Sequence, residues 1–158
     1  MSSRTLIVKL FIAADHAGFE LKENLKTLLS EISWDDLGTH SKDSVHYPEY
    51  SRKMAEAVIA SKLPLGEPRG VLICGSGVGV SIGANRYPEI RAALAWNEEV
   101  ARLSREHNRS NILCLPARFL SDEEAGRLVR AWLGAKFQEG RHSERVELLS
   151  RAPSKPSC

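Results

Sequence analysis

Apolar residues along the chain follow two rhythms. The runs Leu6–Ala13, Gly70–Cys74 and Ile112–Leu115 are short and almost unbroken, as expected of strands buried on both faces. Ile32–Leu37 is a weaker strand closed by Gly38, and Arg91–Ala95 predicts another. The segments between them change period. Phe19, Leu21, Leu25, Leu28 and Leu29 recur near helical spacing and predict a helix over Ala17–Ser30. Pro48 suits the first turn of a second helix, which carries Met54, Ala55, Val58 and Ile59 on one side. Gly79–Asn85 predicts a short helix packed by Val80, Ile82 and Ala84. Asn97 caps the next helix, with Glu98 and Glu99 in its positive first turn. Ser121 and Glu124 form a capping box for Asp122–Leu133, and Arg141–Leu149 predicts a last short helix. Leu63–Pro68 is a loop stiffened by Pro64 and Pro68.

Strands that alternate with helices predict an α/β fold with a five-stranded parallel sheet covered on both faces. No internal repeat and no domain boundary is visible. One domain over residues 1–150 is expected, followed by a disordered tail over 151–158, with Ala152–Cys158 frayed. Open parallel sheets bind ligands beyond the carboxyl ends of their strands. Those ends carry Asp15–His16, Gly38–His40, Cys74–Gly79, Trp96–Asn97 and Pro116–Arg118.

The composition narrows the function. A chain of 158 residues with 42% hydrophobic and 27% charged residues is an ordinary globular protein with a real core. A net charge of +2 argues against a nucleic-acid partner, which needs a concentrated basic face. The N-terminal apolar run is broken by Lys9 and followed at once by Asp15 and His16, so it reads as a strand, not as a signal peptide or membrane span. Three cysteines, Cys74, Cys114 and Cys158, form no disulfide framework and no CxxC pair. A reducing, cytoplasmic setting is expected.

Candidate chemistry centres on Ile73–Arg86 (ICGSGVGVSIGANR). Gly75, Gly77 and Gly79 alternate just after a strand and before a short helix, where backbone amides can hold an anion or a developing oxyanion. No lysine follows in the Walker position, no acidic residue ends the next strand, and the GxSxG spacing is missing. Cys74 stands just before these amides, where a helix N-terminus favours thiolate; it suits a nucleophile or a proton-transfer base. The plainer alternative is a small buried strand residue beside a tight turn. His16 suits phosphate binding or proton transfer, against a surface His–Asp pair. His107 is otherwise a helix-end histidine. Arg118 ends a strand, and Arg141, His142 and Arg145 form a compact basic group that suits a phosphate monoester, against a solvated basic tail. His40 and His46 have no ligand set around them, so no metal is expected.

In order and spacing, several motifs together resemble one family. They are Asp15-His16-Ala17-Gly18-Phe19, Gly38-Thr39, Tyr47-Pro48, Cys74-Gly75-Ser76-Gly77-Val78-Gly79, Ser81, and Ala84-Asn85-Arg86. They continue through Arg91-Ala92-Ala93, Ser104-Arg105, His107-Asn108, Asn111, Arg118, Gly140-Arg141-His142 and Arg145-Val146. From about Ile7 to Leu149 the chain is similar to the ribose-5-phosphate isomerase B family, which also contains isomerases of allose and galactose 6-phosphates. The resemblance implies a three-layer α/β/α Rossmann-like sandwich, assembled as a homodimer or homotetramer with active sites shared between subunits. It implies an aldose–ketose isomerase that interconverts D-ribose 5-phosphate and D-ribulose 5-phosphate by cis-enediol proton transfer, with no cofactor and no metal.

Carried onto this chain, Cys74 looks like the base, and the amides of Gly75, Gly77, Val78 and Gly79 like the enediolate hole, aided by Asn108. His107 looks like the acid that opens the furanose. Asp15 and Ser76 look like ligands of sugar hydroxyls, with Tyr47 at the sugar. His16, Arg118, Arg141, His142 and Arg145 look like phosphate ligands, some of them from a partner subunit. The chain departs from the family where His46 precedes Tyr47 in place of aspartate, and at Trp96-Asn97, Val100, Arg109-Ser110 and Pro116. Those changes touch the pocket wall and leave two alternatives: a six-carbon sugar phosphate as substrate, or a sugar-phosphate sensor without turnover.

Overall fold

The computed structural model describes residues 7–151. Leu6, placed above at the start of the first strand, and the expected tail beyond Arg151 lie outside the described residues. The elements are β1 (Lys9–Ala14), α1 (Phe19–Leu28), β2 (Ser33–Asp36), α2 (Tyr47–Ala60), β3 (Gly70–Cys74), α3 (Val78–Ala84), β4 (Ala92–Leu94), α4 (Glu98–Asn108), β5 (Ile112–Pro116), α5 (Asp122–Gly134) and α6 (Arg141–Leu149). A single 3₁₀ turn, Ala117–Phe119, links β5 to α5 and was not foreseen in the sequence. The other differences at element ends are shifts of one or two residues, and of three at the start of β1, where helices fray and strands lose partners. Ile82, expected to pack α3, is exposed, because it lies about 200° around the helix from the buried Val80 and Ala84.

The five strands are all parallel and run in the order β2-β1-β3-β5-β4. Because strand side chains alternate, the central strands feed two cores. Leu10, Ile12, Ala14, Val71, Ile73, Leu113 and Leu115 pack against α1, α4 and α5. Ala13, Leu72, Cys74, Ile112 and Cys114 pack against α2 and α3. The result is helix–sheet–helix layering, as the two-sided apolar runs require. The α5 capping box forms in full: Ser121 Oγ accepts from the Glu124 amide, and the Glu124 carboxylate accepts from the Ser121 amide. On the outer edge of the sheet, the Asn85 side chain bonds both backbone groups of Ala92 in β4, donating at 2.9 Å and accepting at 2.8 Å. No helix among the described residues is long and apolar enough to cross a membrane.

Among the described residues the most completely buried charged side chain is a lysine. Lys22 follows Leu21 on the buried face of α1, and its ammonium donates to Asp36 at 2.5 Å and to Glu23 at 2.7 Å. Lys26 donates to the same Asp36 oxygen at 2.6 Å. The other Asp36 oxygen accepts from the Gly38 amide at 2.9 Å, which ties this cluster to the loop after β2. Burial alone would raise the Asp36 carboxyl. Hydrogen bonds from Lys22 and Lys26, with the Gly38 amide, override it and hold the carboxyl below its ordinary value.

A carboxyl depressed in the folded state stabilises above its unfolded pKa, and that contribution is lost as pH falls through the folded one. Asp36→Asn is therefore expected to cost about 2 kcal/mol at pH 7, less than stripping a buried charge of every partner, because Glu23 remains beside Lys22. The loss should shrink on acidification. Urea unfolding of both proteins between neutral and acid pH checks this, and a loss that is constant with pH would contradict it.

Candidate active site

The chain leaves β1 for β2 on one side and reaches β3 on the other, so the carboxyl ends of β1 and β3 flank the reversal point of the sheet. Three segments are stitched together there. The Ala14 amide donates to Gly38 O at 2.7 Å, the Thr39 amide to Ala14 O at 2.8 Å, and the Asp15 amide to Ile73 O at 3.1 Å. Asp15 is buried, and its carboxylate accepts from the Gly18 amide at 3.1 Å. Gly18 lets α1 approach β3: a Cβ there would lie 2.7 Å from Ile73 Cγ2 and 2.9 Å from Ile73 O.

The glycine loop closes over the end of β3. Gly77 has φ +73°, a left-handed conformation that a side chain would strain. That turn aims the Gly77 amide back at Cys74, where it donates to Sγ at 3.1 Å. Gly75 lies under the Arg118 guanidinium, whose Cζ would be 2.9 Å from a Cβ at that position, and the Arg118 amide donates to Gly75 O at 3.0 Å. Gly79 lies against the Tyr47 ring at 2.8 Å by the same measure. The loop is thus bracketed by a guanidinium and a phenol. Ser76 and Val78 face solvent, with Ser76 Oγ accepting from the Val78 amide at 3.3 Å.

His16 Nδ1 accepts from the Val45 amide at 3.2 Å, so a neutral His16 carries its proton on Nε2 and offers a donor. The second core cysteine, Cys114, has no such setting: burial, then the neighbouring Cys74, pushes its thiol up, and it stays neutral. Among the described residues no group of three or more His, Cys, Asp or Glu is arranged to hold a metal ion.

The remaining candidates lie at the other end of the sheet. α4 begins after the carboxyl end of β4 and returns to the amino end of β5, so His107 and Asn108 at its C-terminus lie about 13 Å of strand away from the level of Cys74. Residues 135–140 and α6 are fastened there. The Gln138 amide donates to Glu106 O at 2.8 Å, and His142 stacks on His107 with ring centroids 4.2 Å apart. Arg141 and Arg145 are exposed and one turn apart on α6, as the spacing predicts. Asn108 lines a cavity of about 440 Å³ with Arg91, Ala92, Ser110 and Leu149.

The predicted site residues therefore form two groups. Asp15, His16, Tyr47, Cys74, Gly75, Ser76, Gly77, Val78, Gly79 and Arg118 meet at the carboxyl end, while His107, Asn108, Arg141, His142 and Arg145 meet at the amino end. The direction of α4 in a parallel sheet is the sequence signal that separates them. The pairing of His107 with His142, 35 positions apart, had no such signal.

The family model described as Ribose/Galactose Isomerase matches residues 10–149. Ribose-5-phosphate isomerase B of Escherichia coli is 40% identical over 144 residues, which cover 90% of this chain and 94% of that protein. Among solved structures, ribose-5-phosphate isomerase B of Clostridium thermocellum superposes with a TM-score of 0.84 at 43% identity, covering 90% of this chain and 95% of the other. Ribose-5-phosphate isomerase B of Mycoplasma genitalium, solved with bound ribulose-5-phosphate, superposes with a TM-score of 0.82 at 36% identity, covering 90% of this chain and 94% of that one.

Proposed function

The chain belongs to the ribose/galactose isomerase family, and on that premise we propose that it interconverts ribose 5-phosphate and ribulose 5-phosphate through an enediolate, without a metal. The observation that carries this reading is the Gly77 amide donating to Cys74 Sγ inside a glycine loop at the reversal point of the sheet. Cys74 takes the proton from C2 of the open-chain aldose and returns it to C1. Negative charge grows on the substrate oxygen facing the loop amides, which are fixed before the reaction begins. Asp15 and Ser76 hold hydroxyls. His16 and Arg118 supply part of the phosphate site, as charge-assisted donors suited to a monoester.

His107 and Asn108 then come from a second copy, with Arg141 and Arg145. The distance between the two groups within one chain supports this, since no side chain spans the sheet. The exposed apolar residues support it too: Val78, Ile82 and Phe119 at one end, Leu148 and Leu149 at the other, offer faces for a partner.

Two experiments test the reading. The first is an isomerase assay after EDTA treatment, comparing ribose 5-phosphate with allose and galactose 6-phosphates. Turnover of the pentose is expected. Turnover confined to a six-carbon sugar would move the substrate, and binding without turnover of any would make the protein a sensor. The second mixes Cys74→Ala and His107→Ala proteins after subunit exchange. Shared sites predict that activity reappears in hybrids, with about a quarter of all sites intact in an equal mixture of twofold dimers. A mixture as inactive as its parents would place both groups on one chain.

A further inference from the structure

We propose that His142 is a positioning residue, which acts in ring opening by holding the imidazole of His107 through a face-to-face stack, and is not itself a phosphate ligand. This rests on the isomerase reading above, with His107 in the ring-opening role that the family resemblance implies. The two rings lie 4.2 Å apart at centroids and within 10° of parallel. His142 is 6% exposed, whereas Arg141 and Arg145 on the same helix face solvent. A phosphate ligand should present its donors outward, as those two arginines do. The His142 ring instead turns inward and spends its face on His107.

The stack has a built support. The Gln138 amide donates to Glu106 O at 2.8 Å, and its side-chain amide donates to the Glu106 carboxylate at 3.2 Å. Arg102 also binds that carboxylate. Arg109 lies over the Phe137 ring at 5.4 Å. The segment entering α6 is thus pinned to the C-terminal end of α4, one residue before His107 and two residues after it.

Two stacked imidazolium rings would repel each other. Burial, then His107, Arg141 and Arg145, all press the His142 ring toward its neutral form. A neutral imidazole can lie against His107 in either protonation state of the latter. It fixes the ring plane without competing for the proton that must travel to the furanose oxygen.

The test compares His142→Phe, which keeps a flat ring, with His142→Ala, which does not. The ¹H–¹³C spectrum of the histidine rings is recorded first, because it reads the stack whether or not the protein turns over any sugar. The His107 ring signals should move strongly in H142A and keep a ring-current shift in H142F. Unmoved His107 signals in H142A would overturn the stack itself.

Activity is then measured on ribose 5-phosphate and on an aldotetrose 4-phosphate. The tetrose cannot close a five-membered ring, because its O4 carries the phosphate. H142A should lose at least about tenfold in kcat on ribose 5-phosphate, with KM and tetrose turnover within about twofold, and H142F should recover most of the loss. A rise in KM on both sugars, equal in H142F and H142A, would make His142 a phosphate ligand and overturn the proposal. Equal kcat losses on both sugars with a lowered Tm would reduce it to packing and overturn it as well. If the wild-type protein isomerised neither sugar while the spectra behaved as expected, the stack would stand and the ring-opening role would fall.

Discussion

The Cys74→Ala protein will bind ribose 5-phosphate nearly as well as the unaltered protein and isomerise it at least about 10⁴-fold more slowly, the upper range for removing a positioned proton-transfer base. That is about 5 kcal/mol of barrier. Binding should survive because the change removes one sulfur atom and leaves the rest of the site standing. The Gly77 turn is held by its own backbone, Arg118 by its amide on Gly75 O, and His16 by the Val45 amide. Cys114 cannot substitute, since burial keeps its thiol neutral. Calorimetric titration of ribose 5-phosphate beside the kinetic assay checks both halves of the expectation. A C74A protein within tenfold of full activity would remove Cys74 from the mechanism.

The second large effect is selective. His107→Ala should lower turnover of ribose 5-phosphate by about 10²–10³-fold and leave that of an aldotetrose 4-phosphate within a few-fold. Ribose 5-phosphate is mostly a closed furanose, and opening it needs a proton delivered to the ring oxygen as the anomeric hydroxyl loses its own. Without His107 the enzyme must wait for rings that open unaided in solution, so the loss has a floor and is not complete. The tetrose never closes, and it reaches Cys74 already open. Steady-state assays on both sugars measure the ratio. Equal losses would mean that His107 acts at the proton transfer itself or holds the fold.

Most of the architecture was legible because each element announces itself locally. Runs apolar on both faces could only be inner strands, and Ser121 with Glu124 marked a helix start that the structure reproduces bond for bond. Lys22 was not legible. Its place between Leu21 and Leu25 lies on the buried face, but a lysine reads as solvent-facing until Asp36, in another element, supplies its counter-charge. The 3₁₀ turn after β5 was hidden behind Pro116 and Arg118, which read only as a strand end. The candidate residues were legible as a set and not as a layout. A list of motifs has no ends, and only the return of α4 toward β5 separates His107 from Cys74 by the depth of the sheet. The loop chemistry was clearer, because Gly75, Gly77 and Gly79 are consecutive with the sulfur they surround.

The bonds from Asn85 to Ala92 bear on how copies of this chain meet. A parallel sheet ends in a strand whose outward amides and carbonyls are free, an open invitation to a stray strand from another molecule. Here a side-chain amide sits in that place and imitates the missing neighbour, giving and taking one bond each. The chain thus carries its own stopper at Ala92. A second copy would find no open ladder at Ala92, so the subunit exchange proposed above would unzip no sheet there.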